Sequence, residues 1–134
     1  MSLTKYINDN LITERLKITS NTRSATLTPK SKDELITIIK QELERQGPDA
    51  DLNHIDVSEI RDMSTLFVHL KIKNIKIDSW DVSNVTNMDN MFHNCYEFNS
   101  DLSRWDVSNV TSMKSMLNYC NFLNLIYLNG TYLM

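Results

Sequence analysis

Residues 56–80, 81–105 and 106–130 align without a gap, and this 25-residue period constrains the fold more than any other feature. The second and third units, DVSNVTNMDNMFHNCYEFNSDLSRW and DVSNVTSMKSMLNYCNFLNLIYLNG, share ten identities. The first keeps the Asp-Val-Ser start, the Met, the Phe and the closing Trp. A fixed period of this size marks a solenoid, in which each unit buries its apolar face only against its neighbours.

Two apolar patterns alternate within the unit. Met63, Leu66, Phe67 and Leu70 stand at i, i+3, i+4 and i+7; so do Met88, Met91, Phe92 and Cys95, and Met113, Met116, Leu117 and Cys120. That spacing predicts one short helix per unit, with Asp62, Asn87 and Ser112 as N-caps. Between the stripes, Leu52, Ile55, Val57 and Ile60 recur as Ile77, Trp80, Val82, Val85 and as Leu102, Trp105, Val107, Val110. The middle pair alternates as a strand does, like the L-x-x-L-x-L segment of leucine-rich repeats. The expected fold class is therefore α/β: a short β-α solenoid of leucine-rich-repeat type, with three full units and a degraded fourth at Tyr127, Gly130 and Tyr132, over residues 49–134.

Residues 1–48 read as an N-terminal cap on the first layer. Ser31 and Glu34 fit a capping box. Leu35, Ile36, Ile39 and Leu43 share one face, and Gly47-Pro48 stops the chain, which predicts a helix over 31–46. Arg15–Ile18 and Ala25–Thr28 alternate across Ser20-Asn21 as a hairpin, and residues 3–12 suit a short helix.

Only two Gly and two Pro occur, against fifteen Asn, so Asn, Asp and Ser must make the turns. A net charge of −3 argues against direct nucleic-acid binding. No apolar run approaches the roughly 18 residues of a membrane helix, and the first thirty residues lack a signal peptide's apolar core. A cytoplasmic chain without membrane contact is expected. Cys95 and Cys120 read as small apolar thiols, too few for a disulfide framework or a metal site. No phosphate loop, nucleophile elbow or metal-binding His pair is present, so the expectation is a protein that is not an enzyme and uses no metal or cofactor.

The x positions of the strand motif would form exposed ladders. Asp56, Asp81 and Asp106 share one rung line beside Ser58, Ser83 and Ser108, with His54, Ser79 and Arg104 on the other side. Stacked carboxylates repel unless something relieves them. Three arrangements would do so: hydrogen bonds from the backbone two or three residues on, a cation along the ladder, or a basic partner docked on it. These nine residues are the candidate partner-binding face. The uncharged end FLNLIYLNGTYLM either folds back as its own hydrophobic cap or offers a second candidate surface, self-association of two copies through Leu125, Tyr127, Tyr132 and Leu133.

The run WDVSNVTNMDNMFHNCYEFNSDLSRWDVSNVTSM resembles the BspA-like leucine-rich repeat family of bacterial surface and phage-associated proteins, over residues 48–124. The resemblance implies a leucine-rich-repeat fold, a bacterial host with a phage-encoded origin as one option, and a role in binding proteins. The expected function is a non-catalytic protein–protein interaction module whose partner the sequence does not identify. The alternatives are a phage or mobile-element inhibitor docking on a host defence enzyme such as a CRISPR nuclease, and a surface adhesin fragment.

Overall fold

The computed structural model describes residues 27–120 in full and the main chain of residues 127–128 and 131–132. The short helix expected over residues 3–12 and all of the expected hairpin but Leu27 and Thr28 lie outside these residues, as do Leu125 and Leu133. Among the described residues there is one α-helix, α1 (Lys32–Gln46). The Ser31 side chain caps it by accepting the Glu34 N–H at 3.2 Å. The Glu34 carboxylate accepts from the N–H of Lys30 at 2.8 Å, one residue earlier than a capping box requires. Gly47 ends the helix at φ 88°, donating its N–H to the Leu43 carbonyl at 2.8 Å. Leu35 and Ile39 on α1 are fully buried in the same cluster as the repeat residues.

The repeats are not β-α units, and the fold is not a β-α solenoid of leucine-rich-repeat type. The three helix-spaced stripes lie in turns, and strand pairing within 27–120 is limited to isolated parallel bridges such as Asp62↔Asn87 and Asn87↔Ser112. Each apolar-x-x-apolar step is instead a four-residue turn with both ends pointing inward. The N–H of Leu66 bonds the Met63 carbonyl (3.3 Å), Leu70 bonds Phe67 (3.1 Å), Ile55 bonds Leu52 (3.1 Å) and Ile60 bonds Val57 (2.9 Å). The same closures recur in the next two units, at Met91, Cys95, Trp80 and Val85, then at Met116, Cys120, Trp105 and Val110.

The positive φ values explain why the stripe cannot be helical. Thr65 (59°), Asn90 (55°) and Ser115 (55°) form one set, His69 (65°), Asn94 (62°) and Tyr119 (60°) another, each spaced by 25 residues. Each sits third in its four-residue turn, the position where a type II turn requires φ above zero. A left-handed residue breaks an α-helix wherever it falls.

The coils stack in register. The amides of Met63, Thr65 and Phe67 donate to the carbonyls of Asn87, Asp89 and Met91, each at 2.9 Å. Those of Met88, Asn90, Phe92 and Asn94 donate to Ser112, Lys114, Met116 and Asn118 at 2.8–3.0 Å. Thus alternate amides close turns within a coil while the others join it to the next. Leu27 adds to the first coil through a parallel bridge to Ile55. At the end of the third unit, β1 (Tyr127–Leu128) pairs antiparallel with β2 (Thr131–Tyr132), so Tyr127 and Tyr132 are backbone partners on two strands rather than members of one.

Register carries the side chains into columns. Trp80 and Trp105 lie in the core with ring centroids 6.3 Å apart and planes at 6°, and Phe67 and Phe92 stack at 5.1 Å. Each indole N–H donates one coil back, Trp80 to the Leu52 carbonyl (2.8 Å) and Trp105 to that of Ile77 (2.9 Å). Ala50, Ile72, Ile75, Phe98 and Ser100 complete the core, and the Ser100 hydroxyl donates to the Ile75 carbonyl at 2.5 Å.

Two stability changes of opposite sign are expected. Trp105→Ala removes a fully buried ring and orphans the Ile77 carbonyl, a loss of about 3–5 kcal/mol in denaturant titration. Thr65→Asn relieves a β-branched residue at φ 59° and should gain about 0.5–1 kcal/mol, seen as a rise of a few degrees in Tm. An unchanged or lower Tm would contradict the turn assignment.

Candidate functional site

The candidate face is built from the turns that open each unit. An Asp, a Val and a Ser begin the turn, the Val points into the core, and the flanking polar side chains are left at the surface. Each Asp carboxylate then accepts the N–H two residues on: Asp56 from Ser58, Asp81 from Ser83 and Asp106 from Ser108, all at 3.0 Å. The Ser83 hydroxyl adds a second bond to Asp81 at 2.5 Å. These are Asx-turns, the first of the three arrangements that relieve a stacked carboxylate row. They use one oxygen, Oδ1, and leave Oδ2 uncommitted by them. Among the described residues no group of three or more His, Cys, Asp or Glu side chains could hold a metal ion.

The neighbouring rungs cross-link the coils. Asn84 Nδ2 donates to the Ser58 carbonyl (2.9 Å), and Asn109 Nδ2 to that of Ser83 (2.6 Å). The repeated Asn-Val-Thr therefore holds exposed backbone, as the Asn-rich composition implies. Asn53 bridges to the first unit, donating to Asp78 (3.0 Å) and accepting the Ser79 N–H (3.1 Å). Of the three residues on the far side of the Asp row, only Ser79 makes this link. His54 leans toward Glu42 on α1, Nε2 to Oε1 3.9 Å, and Arg104 lies 3.9 Å from Asp78. Asp81, Asp106, Ser79, Ser108 and Arg104 are exposed, whereas His54, Asp56, Ser58 and Ser83 are half-buried.

Hydrogen bonding sets the electrostatics. The Ser58 side chain and backbone hold Asp56 below the usual carboxylate range, and Ser108 does the same for Asp106. Asn53 lowers Asp78, and the Ser103 backbone lowers Asp101. Burial pushes Asp62 and Glu42 up, but Ser64 with Lys32, and Arg45 with Gln46, outweigh it and leave both carboxyls lowered. The thiols go the other way. Burial pushes Cys95 up to about 12, and its Sγ–H donates to the Phe67 carbonyl at 3.2 Å. Cys120 is also raised by burial and donates to Phe92 at 2.9 Å. Both thiols are free of disulfides.

A feature the apolar patterns do not single out lies on a different side. An open groove of about 620 Å³ runs between Pro48, the turn at His69–Ile72 and the turn at Asn94–Glu97. Tyr96, 63% exposed, is part of its wall, and Tyr119, 68% exposed, meets His93 edge-on at 5.5 Å. The signal available in the sequence was Tyr96 itself, a large aromatic placed off every inward register. Among the described residues no helix is long and apolar enough to cross a membrane.

The lowered carboxyls fix the sign of the pH response. Their folded-state pKa values lie below the unfolded ones, so acid protonates the unfolded chain first. Thermal stability should hold from pH 7 to about 5 and fall progressively below about 4, as carboxyls near their unfolded values begin to titrate. Melting curves across that range check it, and a Tm that stays flat down to pH 2 would remove these bonds from the stability account.

No curated protein and no solved structure matches the chain. A family model described as Mycoplasma protein of unknown function, DUF285, matches residues 39–127, from within α1 through the three units to Tyr127. That span covers more than half of the 134 residues, and the chain belongs to this family.

Proposed function

We propose that the protein is a non-catalytic protein-binding module that presents the Asp56–Asp81–Asp106 row to a basic partner. The observation that carries this reading is the recurrence of one device in three successive coils. In each, a carboxylate is pinned through one oxygen to its own turn. A pinned carboxylate has lost its rotamer freedom before binding, so a partner Lys or Arg meets a preorganised acceptor. Arg104 flanks the row and would disfavour a partner that is basic throughout, giving the face a sign pattern rather than a uniform charge. The resemblance of the W-D-V-S-N-V-T-x-M run to BspA-like proteins supports the same class of function.

The test exploits the turn chemistry. Replacing Asp56, Asp81 and Asp106 together by Asn keeps an Oδ1 that can accept the Ser N–H, so the turns survive while the charge is lost. Wild-type protein immobilised over a host lysate should capture a partner at near-stoichiometric yield at low salt and release it at about 0.5 M salt. The triple Asn variant should lose at least tenfold in affinity. Equal capture by the variant would exclude the row as the contact. A captured nuclease would make the protein an inhibitor, and a matrix protein would make it an adhesin.

A further inference from the structure

The two ends of the stack differ in what their backbone offers. Within the stack, the alternate amides of one coil find carbonyls of the next. In the third unit the equivalent amides are those of Met113, Ser115, Leu117 and Tyr119, and among the described residues they carry no hydrogen bond. The carbonyls of Met113, Ser115 and Leu117 are already spent on the turns that end at Met116, Asn118 and Cys120. This stretch of edge is therefore a row of donors at every second residue. At the opposite end one acceptor is taken: the Ser64 carbonyl, equivalent to the acceptors Asp89 and Lys114, receives Lys32 Nζ from α1 at 3.2 Å.

We propose that this row of donors is a docking edge for an extended segment of a partner protein, which joins the stack as a further layer by presenting backbone carbonyls at every second residue. The inference rests on the protein-binding reading above but uses a different surface and a different force. Continuity with the coil-to-coil interface sets the geometry, because the incoming segment would repeat what Ser112, Lys114 and Met116 do for the second coil. Donor–acceptor complementarity selects the occupant. A second copy pairing two-fold through this stretch would set N–H against N–H, and in a copy arriving head to tail the central acceptor, Ser64, is already taken by Lys32. Half-buried Met113 and Leu117 flank the amides, so apolar residues on the incoming segment would add to the hold.

The probe is a peptide of residues 84–94, NVTNMDNMFHN, which contains the three carbonyls that the first coil's amides already use. Residue-resolved hydrogen exchange is followed in the full chain. In the free protein the amides of Met113, Ser115, Leu117 and Tyr119 should exchange fast while those of Met88, Asn90 and Phe92 are protected. Millimolar peptide should slow the edge amides at least tenfold, equally at low and high salt and equally in the triple Asn variant. Protection already present without peptide, no slowing with it, or the same slowing by a scrambled peptide would each overturn the proposal. Salt-insensitive slowing with no effect of the Asp→Asn changes would separate this edge from the acidic row.

Discussion

Alternate backbone amides in the 63–70 and 88–95 segments have different destinations, and the other features of the stack follow from that division. An N–H at one position closes a turn inside its coil, and the next reaches the adjacent coil. Neither set alone would satisfy a chain that has no helix or extended strand between Gly47 and Cys120. Because coils are joined at a constant offset, every side chain lies over its counterpart 25 residues away. The paired indoles, the paired phenyl rings and the Asn-to-carbonyl links are consequences of that register rather than separate inventions. Buried side chains also take part in the backbone accounting. Trp80, Trp105, Ser100 and Cys95 each donate to a carbonyl of the previous coil from inside the core.

The inward positions were legible in the sequence, and the element type was not. Every residue of the two apolar patterns in the first two units is buried except Leu70, which is half-buried. Yet i, i+3, i+4, i+7 describes two turns of helix and equally two consecutive four-residue turns, each with its first and last residues inward. Apolar-x-x-apolar in the supposed strand is the same motif again. What separates the readings is the third residue of each turn. Asn90 and Asn94 are favourable there, but Thr65 and Tyr119 are poor left-handed residues and mask the signal in the outer units. The scarcity of glycine made the left-handed positions harder to see. The Asx-turns were legible because Asp-x-Ser carries its own local geometry, whereas the groove beside Tyr96 depends on which turns the stack brings together.

The same division explains why charge can be repeated on this surface without penalty. A carboxylate stacked over its counterpart would ordinarily destabilise the register that places it there. Here each one is bonded to backbone within its own unit, so the row survives as a by-product of turn formation. Substituting such an Asp by Ala would disturb the turn as well as the charge, while Asn separates the two effects.

The stack has a direction, and the sequence changes along it accordingly. At the first coil, α1 supplies both buried Leu35 and Ile39 and the ammonium that meets the Ser64 carbonyl, so apolar and polar needs are met together. At the third coil the phenyl column of Phe67 and Phe92 continues as Leu117, and the indole column of Trp80 and Trp105 reaches Gly130 in sequence. A stacked ring gains contact area on each face that a neighbouring layer covers, which favours large rings inside the stack. Leu117 is half-buried, and among the described residues its amide carries no bond, so the smaller side chain falls in the coil whose backbone still offers donors. Among the described residues, directional stacking thus produces two chemically unlike ends from one repeated unit: an acceptor end where Lys32 of α1 takes the Ser64 carbonyl, and a donor end at residues 113–119.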